Sequence, residues 1–521
     1  MRKIEILDCT LRDGGYINNW IFQQKNIDMI YEKLLASNVD YIELGYIDEN
    51  AKVDLNSTKF NSFEATKNID SSNKNICMID FGKFSIDKVP KQNETNIHGI
   101  RVAFSKKDLK DAINYCKIIK EKGYDVYIQP MVTISYSEKE LELLLNLVNN
   151  IEPYAVYIVD SFGSMNEKNV IEVLNKYKKS LKEKIKIGFH AHNNLQLAYS
   201  NAITFMNNSD NRDIIIDSSV YGIGRGAGNL ATELISSYLN NKDKQNYRIN
   251  YILEIVDNYL LDLKKIKNWG YCLEYYLSAI NNCHPNYSKF LSEMHTMTIY
   301  DMQSILEKIS DEKKNRFDKT YIHEIYTTYM NKKIDDEKSY KKLKTILKNK
   351  KVFLFGSGNT LNSNKEKIKN KIEKNTIIIS VNDINLLYDC DYIFISNKRR
   401  FKSIKNVNMQ KVICTSNIDD FNSDNIVFNY FDNLATEYDN SDNALLILLN
   451  ILIKADIKKV YLAGFDGFSY KNVNYYNNDL DYFMEKESIE KVNDLMSKYL
   501  ELYNKKIKIN WLTDSNYIRR K

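Results

Sequence analysis

The sequence predicts an α/β protein with two domains, a closed (β/α)8 TIM barrel followed by an open, Rossmann-like α/β sheet. Three observations lead to this fold class. Short β-rich runs alternate with longer amphipathic helical segments through roughly the first 240 residues, and a new series of such runs begins near residue 350. The chain has 521 residues, which is more than one ordinary hydrophobic core holds.

The first series of β-rich runs predicts the barrel, in residues 1–290. Strands that alternate with helices form parallel sheets, and eight such units close into a barrel. Helical spacing is clear in most of the intervening segments, but not between the second and third runs. The runs cover residues 4–9, 39–46, 75–81, 98–104, 124–132, 155–161, 184–192 and 213–222.

The second series predicts a smaller open sheet in residues 348–521. Its β-like runs include "VFLFG", "TIIISVND", "DYIFISN", "KVICTSN", "NIVFNY", "KKVYLAG" and "IKINWLT". Residues 291–347 are mostly helical in pattern and rich in charge, which predicts a helical connector between the two domains.

Composition excludes several classes of protein. The 74 basic and 68 acidic residues give a net charge of +6 without a long basic arm, so anionic small molecules are favoured weakly and nucleic acid is not predicted as a partner. Seven scattered cysteines without a C-x-x-C pair argue against disulfides and thiolate zinc sites. No signal peptide or 18-residue apolar run is visible, which predicts a cytoplasmic protein without membrane contact.

Three polar residues stand where predicted barrel strands end. Asp13 follows the first strand, and His190 and His192 close the seventh. Residues two apart on a strand point to the same face, and reactive groups of these barrels lie at the carboxyl ends of the strands. A carboxylate with two imidazoles suits a divalent cation such as Mn²⁺, Mg²⁺ or Co²⁺ and leaves coordination positions open for a chelating substrate.

The segments "LDCTLRDGGY", "GFHAHNNLQLA" and "YGIGRGAGNLATE" resemble the signature segments of the DRE-TIM metallolyase superfamily, and most of all its 4-hydroxy-2-oxovalerate aldolase branch. The resemblance covers roughly residues 1–290. It implies that Asp13, His190 and His192 bind the divalent metal, that Asn229 completes or supports the metal shell, and that a 2-oxo acid chelates the ion. It also implies that Arg12 steadies the pyruvate enolate.

Four further residues are candidates for the same site. Glu43 ends a predicted strand, where related enzymes use a glutamate. Gly14, followed by Gly15, is expected to let the backbone turn closely around a small substrate. Arg101 is expected either to pair with a substrate carboxylate at the barrel mouth or to form a buried ion pair. Tyr16 stands where aldolases of this branch carry a catalytic histidine, so the acceptor aldehyde and the direction of reaction stay open.

The glycine-rich turn "FGSGNTLN" predicts a nucleotide site in the second domain. Glycines after a strand let backbone N–H groups approach a phosphate at a helix N-terminus. The domain resembles the nucleotide-sugar-binding fold of bacterial sialyltransferases, which implies binding of a nucleotide or nucleotide sugar by Gly356, Gly358, Asn359 and Asn382. Asp466 would have to replace the histidine base of those transferases. The alternative is a partner domain that binds nothing and serves homo-oligomerisation.

The sequence therefore predicts a metal-dependent carbon–carbon lyase, a class II aldolase whose small-molecule partners are a 2-oxo acid and an aldehyde. Fusion to the second domain suggests a pathway of surface-sugar synthesis. Two alternatives are kept. One is a Claisen-type acyl-CoA lyase or synthase of the same superfamily, and the other is a glycosyltransferase-like enzyme that uses the barrel as a scaffold.

Overall fold

A computed structural model describes most of the chain. The described residues are 2–70, 72–294, 296–403, 408, 411–419, 421, 425–438, 442–469, 474–476 and 486–518. They separate into two compact units, one made of residues 1–289 and 310–317 and the other of residues 290–309 and 318–521. The predicted boundaries of the connector stay a prediction.

The first unit is the predicted parallel barrel. Each strand pairs in parallel with its neighbours, and β1 closes the ring by pairing with both β2 and β9. The short strand β3 lies outside the ring, beside β2. The strands are β1 Ile4–Asp8, β2 Tyr41–Ile47, β3 Lys59–Phe60, β4 Asn75–Asp80, β5 Gly99–Phe104, β6 Asp125–Pro130, β7 Ala155–Asp160, β8 Lys186–Ala191 and β9 Ile214–Ser218.

Helices follow most barrel strands, as predicted. Only short 3-10 turns lie between β3 and β5, which agrees with the weak helical spacing there. The α-helices that begin within residues 1–289 or 310–317 are Thr10–Asp13, Gly15–Asn18, Gln24–Ala36, Leu109–Glu121, Glu138–Ile151, Glu167–Ser180, Ala198–Asn207, Thr232–Asp243, Ile249–Ile255, Leu261–Ile266, Leu273–Ile280, Pro285–Ser292 and Asp311–Lys314, with a π-helix at Val256–Leu260.

Strand alternation divides the barrel into an outer apolar shell and an inner core that is partly polar. Leu7, Tyr127 and Tyr157 belong to the apolar cluster inside the barrel. Arg101 and Asp217, which share the inward phase of their strands, are buried in the same interior. Charged side chains inside a barrel must be paired, so the interior carries an ion-pair network beneath the mouth.

The second unit contains a parallel sheet of seven strands. Their order is β14-β13-β12-β11-β10-β15-β16, so the chain reverses its direction of growth beside β10. All seven predicted β-like runs form strands, which confirms the open sheet. They are β10 Lys351–Phe355, β11 Thr376–Val381, β12 Tyr392–Ile395, β13 Val412–Thr415, β14 Ile426–Phe428, β15 Lys459–Ala463 and β16 Lys508–Trp511.

Helices of the remaining chain cover both the predicted connector and the second sheet. Ala444–Lys454 is almost wholly apolar and buried, as expected for a helix in the centre of an α/β unit. Among the described residues, no helix is both long and apolar enough to cross a membrane. The helices are Ile299–Leu306, Lys319–Met330, Glu337–Leu347, Asn359–Ser363, Lys365–Lys369, Lys398–Ser403, Ala444–Lys454 and Lys486–Tyr503.

Asp8, at the end of β1, couples the stability of the barrel to pH. Its buried carboxylate accepts hydrogen bonds from the Thr10 backbone N–H at 2.9 Å and the Thr232 hydroxyl at 2.6 Å. Burial nevertheless raises the pKa of Asp8 to about 6. Because the folded state holds this proton more tightly than the unfolded chain, Asp8 stabilises the barrel fully below about pH 4 and loses that contribution as the pH rises through about 6.

We therefore expect the free energy of unfolding of the parent, relative to Asp8→Asn, to fall by about 3 kcal/mol between about pH 4 and pH 7. Urea denaturation followed by tryptophan fluorescence in a Trp511→Phe background measures it, since Trp20 and Trp269 then report on the first unit. Exposed Asp111→Asn serves as the control. A difference between parent and Asp8→Asn that does not change with pH would contradict the expectation.

Candidate functional site

The predicted metal ligands meet at the mouth of the barrel. His190 Nε2 lies 3.6 Å from Asp13 Oδ2, and the ring centroids of His190 and His192 are 5.1 Å apart. Asn229 Nδ2 donates to Asp13 Oδ2 at 2.6 Å, and the backbone of Asn229 forms an isolated bridge with His192. All four residues are buried. The structure thus brings together side chains that are separated by more than 200 positions in the chain.

Asp217 of β9 fixes the orientation of the His190 ring. His190 Nδ1 lies 2.8 Å from Asp217 Oδ2, so the proton of the ring belongs on Nδ1 and the lone pair on Nε2 faces Asp13. A carboxylate behind a histidine is the usual support of a metal-bound imidazole. The pKa of His192 falls to about 3, mainly because the ring is buried. His192 is therefore neutral at neutral pH.

The donor set fits a divalent cation. His192 Nδ1 and Asn229 Oδ1 are buried and have no hydrogen-bond partner among the residues that the structure describes. Although burial opposes its charge, the Arg12 guanidinium and the hydrogen bond from Asn229 help to lower the pKa of Asp13 to about 2, so Asp13 is a carboxylate at neutral pH. A hard or borderline cation binds to an anionic oxygen together with neutral nitrogen and oxygen ligands. The two neutral ligand atoms found here have no other partner among the described residues that would compete with the cation.

Cys9 lies near the predicted metal ligands, but its thiol is not suited to bind a metal. In the described part of the chain, Cys9, Asp13 and His190 are the one set of metal-binding residue types whose ligand atoms all lie within 4.8 Å of one another. However, the Cys9 thiol donates to the Ser218 carbonyl at 3.1 Å, and burial raises its pKa well above the usual value. A neutral thiol binds metal poorly. All seven cysteines are free.

Two guanidinium nitrogens of Arg12 contact carboxylates, and the third points to no described partner. Its Nε donates to Glu43 Oε2 at 2.7 Å, and its Nη1 lies 2.8 Å from Asp13 Oδ1. Although burial opposes the charge, these two carboxylates keep the pKa of Arg12 well above its usual value. Its Nη2 is buried without a hydrogen-bond partner among the described residues. Glu43 therefore positions Arg12, and the free NH₂ group remains for an oxygen in the mouth.

Arg101 is buried in the barrel interior, and a contact of this residue with a substrate carboxylate stays a prediction. It is fully buried, forms an ion pair with Asp217, and its Nε lies 3.2 Å from Glu43 Oε1. Its Nη1 also donates to Gln129 Oε1 at 2.8 Å. These bonds use the guanidinium inside the barrel, which agrees with the alternative expectation of a buried ion pair.

The two glycines after Asp13 do not make the tight turn that was expected. Gly14 has a helical φ of −59° and lies between two short helices. A side chain on Gly15 would meet the indole of Trp20 at 2.0 Å, and one on Gly14 would meet the Thr10 carbonyl oxygen at 2.4 Å. Gly15 therefore makes room for Trp20, and Gly14 allows the backbone to approach Thr10 closely. A contact of Gly14 with substrate stays a prediction.

Tyr16 lies beside the site, and its hydroxyl group is paired with that of Tyr46. Its hydroxyl is 3.0 Å from that of Tyr46, and the Arg225 guanidinium carbon is 5.9 Å from its ring centroid. Although 39% of the Tyr16 surface is exposed, the packing around its hydroxyl and the Asp80 charge raise the pKa of Tyr16 above its usual value. A phenolate is therefore disfavoured, and Tyr16 alone is a poor general base.

Two contributors were missed by the sequence reasoning, Asp217 and Tyr46. The signal for Asp217 was available, because it lies two residues after Ile215 on a predicted strand and so shares its inward face. No comparable signal existed for Tyr46, because a register irregularity between Glu43 and Tyr46 breaks the alternation of β2.

Replacing Asp217 by asparagine is expected to lower metal affinity about 10–100-fold, because the His190 ring loses its charged support. Competition with a chromogenic chelator measures this affinity directly. Asp213→Asn, at the start of the same segment, is the matched control, since the Asp213 carboxylate accepts from the Lys3 backbone N–H at 2.7 Å and does not contact His190. Equal metal affinity of parent and Asp217→Asn would show that Asp217 does not support a ligand.

The second unit has a cleft of about 740 Å³ at the carboxyl ends of β10, β11, β12 and β15. It lies beside β10, where the strand order reverses, which is the usual ligand position in open α/β sheets. Gly356, Gly358 and Asn382 line it, whereas Asn359 is exposed and begins the following helix. The cleft is also lined by Ser357, Asp383, Asn397, Arg399, Arg400, Asp442 and Asp466.

The glycine turn of this cleft packs against its own chain. A side chain on Gly358 would meet the Asp466 carboxylate at 2.4 Å, and one on Gly356 would meet the Gly464 carbonyl at 2.4 Å. The Asp466 carboxylate also accepts from the Thr360 backbone N–H at 2.7 Å. The helix N-terminus expected to hold a phosphate is therefore partly satisfied by an aspartate of the protein.

Comparison with known proteins assigns the barrel domain to a family. The HMGL-like family profile matches residues 3–258. A crystal structure of the N-terminal domain of a candidate aldolase from Bacteroides vulgatus is 30% identical, with a TM-score of 0.50, and the match covers 58% of this chain and 100% of that one. The chain belongs to the HMGL-like family.

Several curated relatives of this HMGL-like chain are named 4-hydroxy-2-oxovalerate aldolase. A 4-hydroxy-2-oxovalerate aldolase of Bacillus cereus is 27% identical over 256 residues, which are 48% of this chain and 72% of the relative. A protein of the same name from Geobacillus genomosp. 3 is 28% identical over 243 residues, 46% of this chain and 71% of the relative. Membership of the lyase and aldolase superfamily, predicted from the three sequence segments, is thus confirmed for the N-terminal half.

Proposed function

We propose that the barrel is a divalent-metal-dependent aldolase that makes or cleaves the C3–C4 bond of a 4-hydroxy-2-oxo acid through a pyruvate enolate. The observation that carries the proposal is the Arg12 guanidinium, whose Nη2 has no partner among the described residues while Glu43 and Asp13 hold its other nitrogens. A fixed cation donor beside a metal site suits an oxygen that gains negative charge during reaction.

Asp13, His190, His192 and Asn229 would hold the metal. When bound, the ion would act as a Lewis acid towards the carboxylate and ketone oxygens of a 2-oxo acid. Arg12 donates its free N–H to the ketone oxygen as that oxygen becomes an enolate, and Glu43 keeps the guanidinium in place. Asp217 holds the Nδ1 proton of His190, which leaves Nε2 directed at the site.

In the cleavage direction, the C3–C4 bond breaks and its electron pair becomes the enolate of pyruvate. The 4-hydroxyl group loses its proton and becomes the carbonyl of the released aldehyde. Relatives at 27% and 28% identity are named 4-hydroxy-2-oxovalerate aldolases, which supports this substrate class. Which aldehyde is accepted stays open, because Tyr16 stands in place of the histidine.

The test is to incubate the metal-loaded protein with 4-hydroxy-2-oxo acids of increasing chain length and to follow pyruvate with a coupled dehydrogenase. We expect release with Mn²⁺, Mg²⁺ or Co²⁺ and loss of release with chelator. Consumption of acetyl-CoA without pyruvate release would favour the Claisen-type alternative. Absence of both reactions, with sugar transfer from a nucleotide sugar, would favour the glycosyltransferase-like alternative with the barrel as scaffold.

For the second unit we propose binding of a nucleotide or nucleotide sugar, in keeping with a role in surface-sugar synthesis. The cleft beside β10 supports this, because its volume of about 740 Å³ suits such a ligand and it combines arginines with amides and carboxylates. Asp466 is a weak candidate for a transferase base, because it is bonded to Thr360.

Binding is tested by the thermal transition of the full chain with CMP, CDP and UDP, since a ligand of the folded state raises the transition temperature. Arg400→Gln should abolish the rise, while Lys367→Gln, on an exposed helix face, should keep it. No rise with any nucleotide would favour the alternative of a domain that serves homo-oligomerisation, which the mass of the protein in solution would then test.

A further inference from the structure

Asp80 is a carboxylate at the barrel mouth that the proposed function does not yet use. It ends β4 and lies opposite Ala103 of β5. Asp80 shares its strand face with Met78, which packs with Tyr46 and Ala103, so its side chain projects into the mouth. Among the described residues, its carboxylate has no hydrogen bond or ion pair.

The paired hydroxyls of Tyr16 and Tyr46 belong to the same side of the mouth as Asp80, because Tyr46 packs with Met78 and Ala103, the neighbours of Asp80 along and across the sheet. The two oxygens are 3.0 Å apart, and either can donate. Tyr16 follows Asp13 by three positions, and the Arg12 guanidinium carbon is 5.9 Å from the Tyr46 ring centroid. The pair is braced by Trp20, whose ring makes edge contacts with both tyrosines.

The charges around Asp80 define its protonation. Burial raises its pKa and the Asp48 carboxylate adds to this, whereas Arg12, Lys83 and Lys59 act in the opposite direction.

In turn, the Asp80 charge is one of the reasons, after burial, that the pKa values of Tyr16 and Tyr46 are raised. Two neutral hydroxyls can pass a proton only when an anion receives it. The carboxylates of Asp80 and Asp13 both act on the two tyrosines. Asp13 is already engaged by Arg12 Nη1 at 2.8 Å and Asn229 Nδ2 at 2.6 Å, which leaves Asp80 as the acceptor.

We propose that Asp80 receives the proton of the substrate 4-hydroxyl through Tyr16 and Tyr46, in place of the histidine that this chain lacks. As the C3–C4 bond breaks, the hydroxyl proton moves to the Tyr16 oxygen, the Tyr16 proton moves to Tyr46, and the Tyr46 proton moves to Asp80. No hydrogen bond joins Asp80 to Tyr46 in the described part of the chain, so the last transfer would pass through one bridging water molecule. Condensation runs the same transfers in reverse.

This inference rests on the proposed aldolase function, so its test uses two reactions. Decarboxylation of oxaloacetate forms the same pyruvate enolate with loss of CO₂ but moves no hydroxyl proton. We expect Asp80→Asn, Tyr16→Phe and Tyr46→Phe to lower pyruvate release from a 4-hydroxy-2-oxo acid about 100-fold or more and to keep oxaloacetate decarboxylation within a few-fold of the parent. Asp80→Glu should restore part of the lost rate.

The pH profile gives a second readout. Cleavage by the parent should rise with pH as Asp80 ionises, and Asp80→Asn should lose this rise. Asp48→Asn is the matched control, because it removes a neighbouring carboxylate that pairs with Lys59 at 3.0 Å, and it should cleave at the parent rate above neutral pH.

Equal cleavage by Asp80→Asn and the parent, or an equal loss of both reactions in Asp80→Asn, would overturn the relay. A parent that performs neither reaction would instead refute the proposed function.

Discussion

Replacing Asp13 by asparagine is expected to abolish metal retention and to lower pyruvate release at least about 100-fold. Loss of a residue that only supports a metal ligand costs about 10–100-fold, and loss of a ligand should cost more. One Asp13 oxygen lies 3.6 Å from His190 Nε2, and the other lies 2.8 Å from Arg12 Nη1. Neutralising this carboxylate therefore removes both the anionic ligand and the group that orients the arginine. Metal content after dialysis and the coupled pyruvate assay measure the two losses.

The exposed Asp111→Asn, which makes the same change on the outer helix Leu109–Glu121, should retain metal and rate. Circular dichroism and the thermal transition check that Asp13→Asn remains folded. A folded Asp13→Asn protein with full metal content and full turnover would refute the site assignment as a whole.

Replacing Arg101 by methionine is expected to lower the free energy of unfolding of the barrel by about 3–5 kcal/mol, because the buried carboxylates of Glu43 and Asp217 lose their shared cation. Arg101 is completely buried, its Nη2 donates to Asp217 Oδ1 at 3.1 Å, and its Nε lies 3.2 Å from Glu43 Oε1. Urea denaturation in the Trp511→Phe background measures the loss.

Two further variants serve as controls for this prediction. Lys107→Met removes a charge from an exposed position and should change stability little. Adding Asp217→Asn to Arg101→Met should recover part of the loss, because one unpaired buried charge disappears. Full stability of Arg101→Met alone would show that the interior tolerates both carboxylates without this cation.

The fold was largely predictable because its strands carry local signals. In a parallel barrel each strand is buried on both faces, so runs such as "IEILDC" and "AVYIVDS" are continuous and end where polar residues begin. The segment between β2 and β4 carried no helical period, and it forms a two-residue strand and a 3-10 turn.

The meeting of the candidate metal ligands was predictable for a related reason. Strand alternation places His190 and His192 on one face, and the parallel topology brings the carboxyl ends of β1 and β8 to the same mouth. Neither step needs side-chain coordinates. The roles of these residues still await the experiments on Asp13 and Asp217.

The sequence by itself thus determined the two sheets, the order of their strands along the chain and the meeting of Asp13, His190 and His192 at the barrel mouth, since periodicity and strand ends are local properties. Only the tertiary structure decided how charges pair. It engages Arg101 with Asp217 and Glu43, frees one nitrogen of Arg12, and pairs the hydroxyls of Tyr16 and Tyr46. Such pairings depend on a few ångströms between distant segments, and no local pattern encodes those distances.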